Sequence, residues 1–305
     1  MFDVAIIGLG AAGYTAAIYS ARYKLSTLLV GAEEGGLGVT AAEVGNWPGD
    51  IEVKGPELME RMKKHAASFA EVTMKSVRVT TVEKTAAGFR LTYEGGATDE
   101  AKTVIFATGS NKRHLGVPGE DAFAGKGVSY CATCDGFFFK GKTVAVIGGG
   151  DAAVEGAAIV AQVAKKLYLV HRRSEFRAEP YWLNKVKEKG NVTLVLERQV
   201  KEIRGDQKVT SLLLDQPFEG SPELKLDGVF VEIGATPAVE LPQMLGCALD
   251  ERGFLKVGAD QQTSVAGAFA AGDVSGASNH FAQFVTSAGE GAVAVSGVFG
   301  FLQGK

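Results

Sequence analysis

Cys131 and Cys134 stand two residues apart and are followed at once by a carboxylate, in Cys131-Ala132-Thr133-Cys134-Asp135. Two thiols at this spacing close a small ring reversibly, which suits thiol–disulfide exchange better than permanent stapling. Asp135 is placed to act as general acid or base while a thiolate gains or loses a proton; a turn or capping carboxylate is the plainer role for the same residue. Cys247 has no sequence neighbour to pair with and reads as a packing residue. Three cysteines and four histidines indicate neither a secreted disulfide framework nor a zinc quartet, so no metal is expected.

Such a pair needs elements that deliver electrons to it, and two glycine-rich turns flank it. The first, Gly8-Leu9-Gly10-Ala11-Ala12-Gly13, follows an apolar run over residues 2–7 and opens a helical pattern through Ala16, Ala17, Ile18 and Ala21. Glycines here let a pyrophosphate approach the helix N-terminus and let the helix lie close on the strand. A second strand at 25–30 completes the βαβ unit. An acidic residue is expected at its end to hold an adenosine ribose, but Gly31 stands there, with Glu33 and Glu34 nearest. Either one of these carboxylates reaches back or, the favoured alternative, ribose recognition passes to backbone and water.

The second turn, Gly148-Gly149-Gly150-Asp151-Ala152-Ala153, repeats the pattern between a strand at 142–147 and a helical run through Val154, Ala157, Ala158 and Ala161. The next strand, 166–170, runs into His171-Arg172-Arg173, with Arg177 a turn later. A carboxylate there would take a ribose 2′-hydroxyl, whereas forked guanidinium donors suit a 2′-phosphate. The second site is therefore expected to prefer NADPH over NADH; a solvated basic face is the plainer alternative.

Between these units the pattern is coarser. Residues 32–50 form a glycine-rich loop holding Gly35, Gly36, Leu37 and Asn46, and 56–69 reads as an amphipathic helix. Short β-like runs at 77–79, 89–93 and 103–106 end on Ala107-Thr108-Gly109, where small residues allow backbone to approach a ligand. Periodicity lapses at 111–119 and again at Gly234-Ala235-Thr236-Pro237, which mark two crossings between domains. After strands at 192–196 and 228–233, a strand from Ala268 closes on Gly272 and Asp273. Asp273 either accepts a hydroxyl proton from a ligand or caps the following helix, which contains Gln283. The expected fold is α/β, with two Rossmann-like dinucleotide-binding domains of three-layer ββα type, the second inserted in the first. Residues 1–113 and 239–305 would form one domain and 114–238 the other.

Composition sets the outer bounds. The chain has 305 residues, 46% of them hydrophobic, and a formal net charge of −3, enough for two packed cores and without a polybasic surface for nucleic acid. No leader pattern follows Met1, and the apolar run at 291–302 is too short for a membrane span. A cytoplasmic protein without a membrane partner is expected.

The combination resembles the low-molecular-weight thioredoxin reductases, flavoprotein pyridine nucleotide-disulfide oxidoreductases, over nearly the whole chain. The carriers are Cys131-Ala132-Thr133-Cys134-Asp135-Gly136, the run from His171 to Arg177, Ala107-Thr108-Gly109 and Ala271-Gly272-Asp273. The resemblance implies FAD in the first domain and NADPH in the second, which carries the redox pair. It implies that Cys134 faces the flavin, that Cys131 exchanges with thioredoxin or a thioredoxin-like protein and that Asp135 handles protons. It also implies docking of thioredoxin at Phe137 and Phe138, and a homodimer.

The departures all touch the flavin half. Leu37 stands where the family presents a glutamine to the flavin, and Ala282 replaces the arginine of a C-terminal Arg-Gln pair, although Gln283 remains. These changes resemble divergent branches, including reductases that take electrons from ferredoxin, but such members tend to lose the phosphate-binding arginines that this chain keeps. A reductase of the same fold with another donor or acceptor is thus one alternative. A non-catalytic nucleotide-binding redox sensor is another.

Overall fold

In the computed structural model, which describes residues 1–41 and 43–304, the chain divides into two compact units, Met1–Asn111 with Pro237–Lys305 and Lys112–Thr236. The first unit begins with β1 (Phe2–Ile7), α1 (Ala11–Arg22) and β2 (Thr27–Gly31), followed by α2 (Gly55–Ala67) and β3 (Val72–Ser76). Pro56 sits in the first turn of α2, where its missing N–H costs nothing, and Leu58, Met59, Met62 and Ala66 form the buried face. An antiparallel meander follows: β4 (Val79–Thr85), β5 (Gly88–Tyr93) and β6 (Thr98–Phe106). The strands order as β3-β2-β1-β6-β5-β4, with β1 parallel to both β2 and β6.

Side-chain alternation on these strands builds two cores. Val4, Ile6, Leu29 and Ile105 point to the helices, while Ala5, Ile7, Leu28, Val30, Val104 and Phe106 point to the meander. Strands buried on both faces read as continuous apolar runs, as β1 and β2 do. The three layers are therefore helix, parallel sheet and meander.

The inserted unit follows β7 (Ser110–Lys112) and repeats the plan. β8 (Val128–Ser129) leads to the short α3 (Ala132–Asp135), and then come β9 (Thr143–Ile147), α4 (Asp151–Val160), β10 (Lys166–His171), α5 (Pro180–Lys187) and β11 (Val192–Leu196). A three-stranded antiparallel sheet, β12 (Val200–Gly205), β13 (Val209–Phe218) and β14 (Ser221–Lys225), precedes β15 (Gly228–Val231). The main sheet orders β11-β10-β9-β15-β8 and all its pairs are parallel. Val144, Val146, Leu167 and Leu169 face the helices; Ala145, Ile147 and Val170 face the smaller sheet. This is the expected doubled α/β architecture.

The chain returns through β16 (Ala235–Pro237) and α6 (Glu240–Met244) to β17 (Ala268–Ala270), which pairs with β6, and ends in α7 (Phe284–Leu302). The apolar run at 291–302 thus belongs to a 19-residue helix, long and apolar enough to cross a membrane by length and composition. One face of it packs against the core. Ala288, Gly291, Ala294, Val295 and Val298 are buried, and α7 lies so close to α1 that a Cβ on Gly291 would meet Ala12 O at 2.4 Å. Glu290 is buried too, accepting from Gly272 N (2.8 Å) and Ser275 Oγ (2.9 Å).

Candidate active site

The first glycine turn joins β1 to α1 under tight steric limits. Gly8 has φ 129°, a conformation side chains disfavour, and a Cβ on it would lie 2.0 Å from Ala107 O. A Cβ on Gly13 would lie 1.9 Å from Gly8 O, so Gly13 packs the helix on its own turn and does not line the cavity beside it. Gly10 has nothing within 4 Å of its Cβ position. As N-cap of α1 it brings no side-chain bond, and no acid occupies the first turn, so the helix offers unpaired N–H groups to an anion.

These groups open on a cavity of about 730 Å3 within the first unit. Gly8, Gly10, Ala11, Ala12, Glu33, Gly36 and Leu37 line one part of it; Ala107, Thr108, Gly109, Gly272, Asp273 and Gln283 line another. A dinucleotide fits this cradle. Its volume is in the range of cofactor pockets, and its wall carries open helix N–H groups where a pyrophosphate needs them.

Gly31 does not leave a gap. A Cβ there would meet Leu9 Cγ at 2.9 Å, so Leu9 fills the space of a side chain at the strand end. Of the two nearby carboxylates, Glu34 is engaged by Lys63 and Ser76, whereas Glu33 lines the cavity 4.0 Å from Arg78. Arg78 has no motif to mark it: it stands in the β-like run expected at 77–79, of which the structure places residues 77 and 78 in the loop between β3 and β4.

Asp273 does not cap the following helix. Its Oδ1 accepts from Ser287 Oγ (3.2 Å), and burial, assisted by Glu290, holds its carboxyl above the ordinary range against that bond. The N-cap of α7 is Gln283, whose side chain accepts the Thr286 N–H and also the Asn46 amide (3.0 Å). Asn46 is thus bonded to Gln283 and is not itself on the cavity wall. Ala282 and Leu37 both lie on the cavity wall, so the two departures face the same space.

In the inserted unit Gly148 repeats Gly8, with φ 150° and a Cβ position 2.1 Å from Glu232 O. Gly150 is the open N-cap of α4, and Ala153 is fully buried beneath the turn. Ala152 is exposed, and Asp151 in the first turn is tied to Glu179 N (2.7 Å). Arg172, Arg173 and Arg177 are exposed and form no ion pair among the described residues, leaving their forks open for phosphate. His171 is drawn out of that cluster. Its ring is buried over Gly149, Nε2 donates to Glu175 O (3.1 Å), and it stacks on Phe176. Burial, reinforced by the three arginines, holds the imidazole below its ordinary pKa and hence uncharged at neutral pH.

Cys131 and Cys134 are joined in a disulfide at the start of α3, with Cα atoms 5.3 Å apart. Cys131 is partly buried and its sulfur accepts the Cys134 N–H (3.1 Å); Cys134 is exposed. Ser129 ties the segment together, donating to Asp135 Oδ2 (2.7 Å) and accepting from Cys131 N (3.0 Å). Phe137 and Phe138 are 72% and 79% exposed, too much apolar surface to be packing residues. Cys247 is buried, its thiol pushed up by burial, as suits a packing residue. Ser129 and Glu232, which accepts the Ala132 N–H, are site residues that no spacing rule singled out.

Comparison with known proteins agrees with this geometry. The family described as pyridine nucleotide-disulphide oxidoreductase matches residues 2–291. Thioredoxin reductase of Mycolicibacterium smegmatis is 43% identical over 96% of this chain and 94% of that one. A protein of Pseudomonas fluorescens named glucosaminate ammonia-lyase is also 43% identical, over 99% and 96%. The crystal structure of Lactococcus lactis thioredoxin reductase superposes with a TM-score of 0.94 at 34% identity, over 100% of both chains. The chain belongs to the pyridine nucleotide-disulphide oxidoreductases and, within them, to the low-molecular-weight thioredoxin reductases, flavoproteins that use FAD and NADPH.

Proposed function

We propose that electrons pass from NADPH through FAD to the Cys131–Cys134 disulfide and on to oxidised thioredoxin or a thioredoxin-like protein. Bound FAD and NADPH supply the two-electron hydride chemistry. Residues 1–113 and 239–305 hold FAD, with Gly10, Ala11 and Ala12 presenting the helix N-terminus to its pyrophosphate and Thr108, Gly109 and Asp273 completing the wall. Residues 114–238 hold NADPH, with Gly148 and Gly150 at the pyrophosphate and Arg172, Arg173 and Arg177 at the 2′-phosphate.

The observation that carries this reading is the disulfide itself, set beside two exposed phenylalanines and a carboxylate anchored by Ser129. After two-electron reduction, the Cys131 thiolate attacks one sulfur of the partner's disulfide. A mixed disulfide forms and one partner thiolate leaves. The Cys134 thiolate then attacks Cys131 Sγ, re-forms the internal disulfide and releases the second partner thiolate. Asp135 supplies or removes the protons of these steps. Phe137 and Phe138 provide the apolar contact for docking. A homodimer working in the cytoplasm completes the proposal; Val39, Ile51 and Val285, which expose apolar side chains on the first unit, support the homodimer.

The test is stopped-flow reduction of the flavoprotein by NADPH, NADH and reduced ferredoxin, followed by oxidised thioredoxin. Rapid bleaching of the flavin by NADPH and reoxidation by thioredoxin are expected. Bleaching by ferredoxin alone would overturn the donor, and bleaching without reoxidation would overturn the acceptor.

A further inference from the structure

Glu232 is 6% exposed, a carboxylate in a place where burial without partners would be costly. Its partners connect the nucleotide turn to the redox pair. The residue follows β15, its N–H donating to Ile147 O (2.9 Å), and its carbonyl oxygen lies against Gly148. Its side chain turns the other way: Oε1 accepts the N–H of Ala132, next to Cys131, at 3.1 Å, and Oε2 accepts from Lys112 Nζ at 2.9 Å. Lys112 is itself only 25% exposed, so solvent screens this ion pair weakly.

We infer that Glu232 and Lys112 are a positioning pair for the Cys131–Cys134 couple, Glu232 fixing α3 by its backbone and the two opposed charges setting the local potential in which thiolates form. This rests on the proposal that the cysteines are the redox couple. Glu232 alone would oppose negative charge on the sulfurs, and Lys112 alone would favour it; paired, they largely cancel. Glutamine at 232 keeps an acceptor for Ala132 N–H but leaves the Lys112 cation unbalanced. Removal of the Lys112 ammonium leaves the carboxylate unbalanced.

The consequence is a pair of opposite shifts that a purely structural role does not produce. FAD-loaded wild type, Glu232→Gln, Lys112→Met and the double variant are equilibrated at pH 9 with graded mixtures of reduced and oxidised dithiothreitol. The protein disulfide takes two electrons from the dithiol, which closes to its own disulfide; the two protons of that dithiol pass to the protein thiols or, where these ionise, to solvent. Quenching with an alkylating agent and counting labels at Cys131 and Cys134 by mass spectrometry gives the equilibrium constant. Glu232→Gln is expected to move it about threefold or more towards dithiol, Lys112→Met by a comparable factor towards disulfide, and the double variant back towards wild type. Shifts of the same sign, or none, would overturn the inference. Should Lys112→Met fail to fold, the sign of Glu232→Gln alone decides. A wild type in which neither cysteine titrates would sink the redox assignment together with the inference.

Discussion

The two glycine turns are built alike and differ in who fills the space above the strand end. In the first, the residue after the leading glycine is Leu9, and the strand ends on Gly31, whose Cβ would collide with Leu9 Cγ at 2.9 Å. In the second, the corresponding residue is Gly149 and the strand ends on His171, whose ring lies 2.2 Å from where a Cβ on Gly149 would be. One side chain fits in each place, and the two turns take it from opposite partners. The absence of a carboxylate at Gly31 is therefore a packing matter: the space a strand-end side chain would use is taken by Leu9. At the second turn the filling ring is neutral, and the positive charge beside it is carried by the arginines.

The largest effects should come from what the turns share. Gly8→Ala and Gly148→Ala each place a Cβ about 2 Å from a backbone oxygen at a disfavoured φ and should each cost about 3 kcal/mol or more. If the units are as independent as their separate cores imply, Gly8→Ala protein will lose FAD on gel filtration. Gly148→Ala protein will keep its flavin but resist reduction by NADPH.

Next come the positions that differ. Gly149→Ala should raise the NADPH dissociation constant about tenfold, within the range for overpacking a tight site, and adding His171→Ala should restore much of it. Gly31→Ala should weaken FAD in the same way and be relieved by Leu9→Ala. Absence of rescue in either double variant would show that the reciprocal filling is coincidental. Arg172→Ala or Arg173→Ala should each weaken NADPH by roughly tenfold while leaving NADH nearly unchanged, the loss of one charge-assisted contact; equal loss for both nucleotides would break the assignment.

The smallest effect concerns pH. Because the folded state depresses the His171 pKa, the unfolded chain binds that proton more readily. The stability associated with a neutral His171 is full above about pH 6.5 and is lost as pH falls through its lower folded value. Thermal melts of wild type and His171→Asn between pH 7.5 and 5 should show the difference between them shrinking on the acid side.

Much of this was legible in the sequence because period and composition report directly on burial. The strands β1 and β9, both turns and the doubled α/β plan follow from apolar runs that meet glycines, and β10 from an apolar run that meets a basic cluster. Sequence distance hid what was missed. Glu232 lies 100 residues from the Ala132 N–H it accepts, and Arg78 reaches the cavity from a segment whose apolar neighbours Val77 and Val79 read as strand. His171, expected beside the arginines at the second nucleotide turn, differs in another way: the space above Gly149 that draws its ring inward has no signature in the run itself. The apolar run at 291–302 reads as short because it starts inside α7 and contains Gly297, which looks like an interruption, whereas a small residue is what the packing demands there. A Cβ on Gly297 would lie 2.4 Å from Asp260 O.

The close seating of α7 against α1 has a consequence for how the protein is made. The core of the first unit needs Ala294, Val295 and Val298 from α7, so it stays open until that helix has left the ribosome. Lys112–Thr236 is continuous in the chain and has every element it needs well before that. During synthesis, then, the inserted unit can close first, while the N-terminal half, already exposed and apolar, waits for its final partner. It is that waiting half, with α1 uncovered, that a chaperone would have to shield.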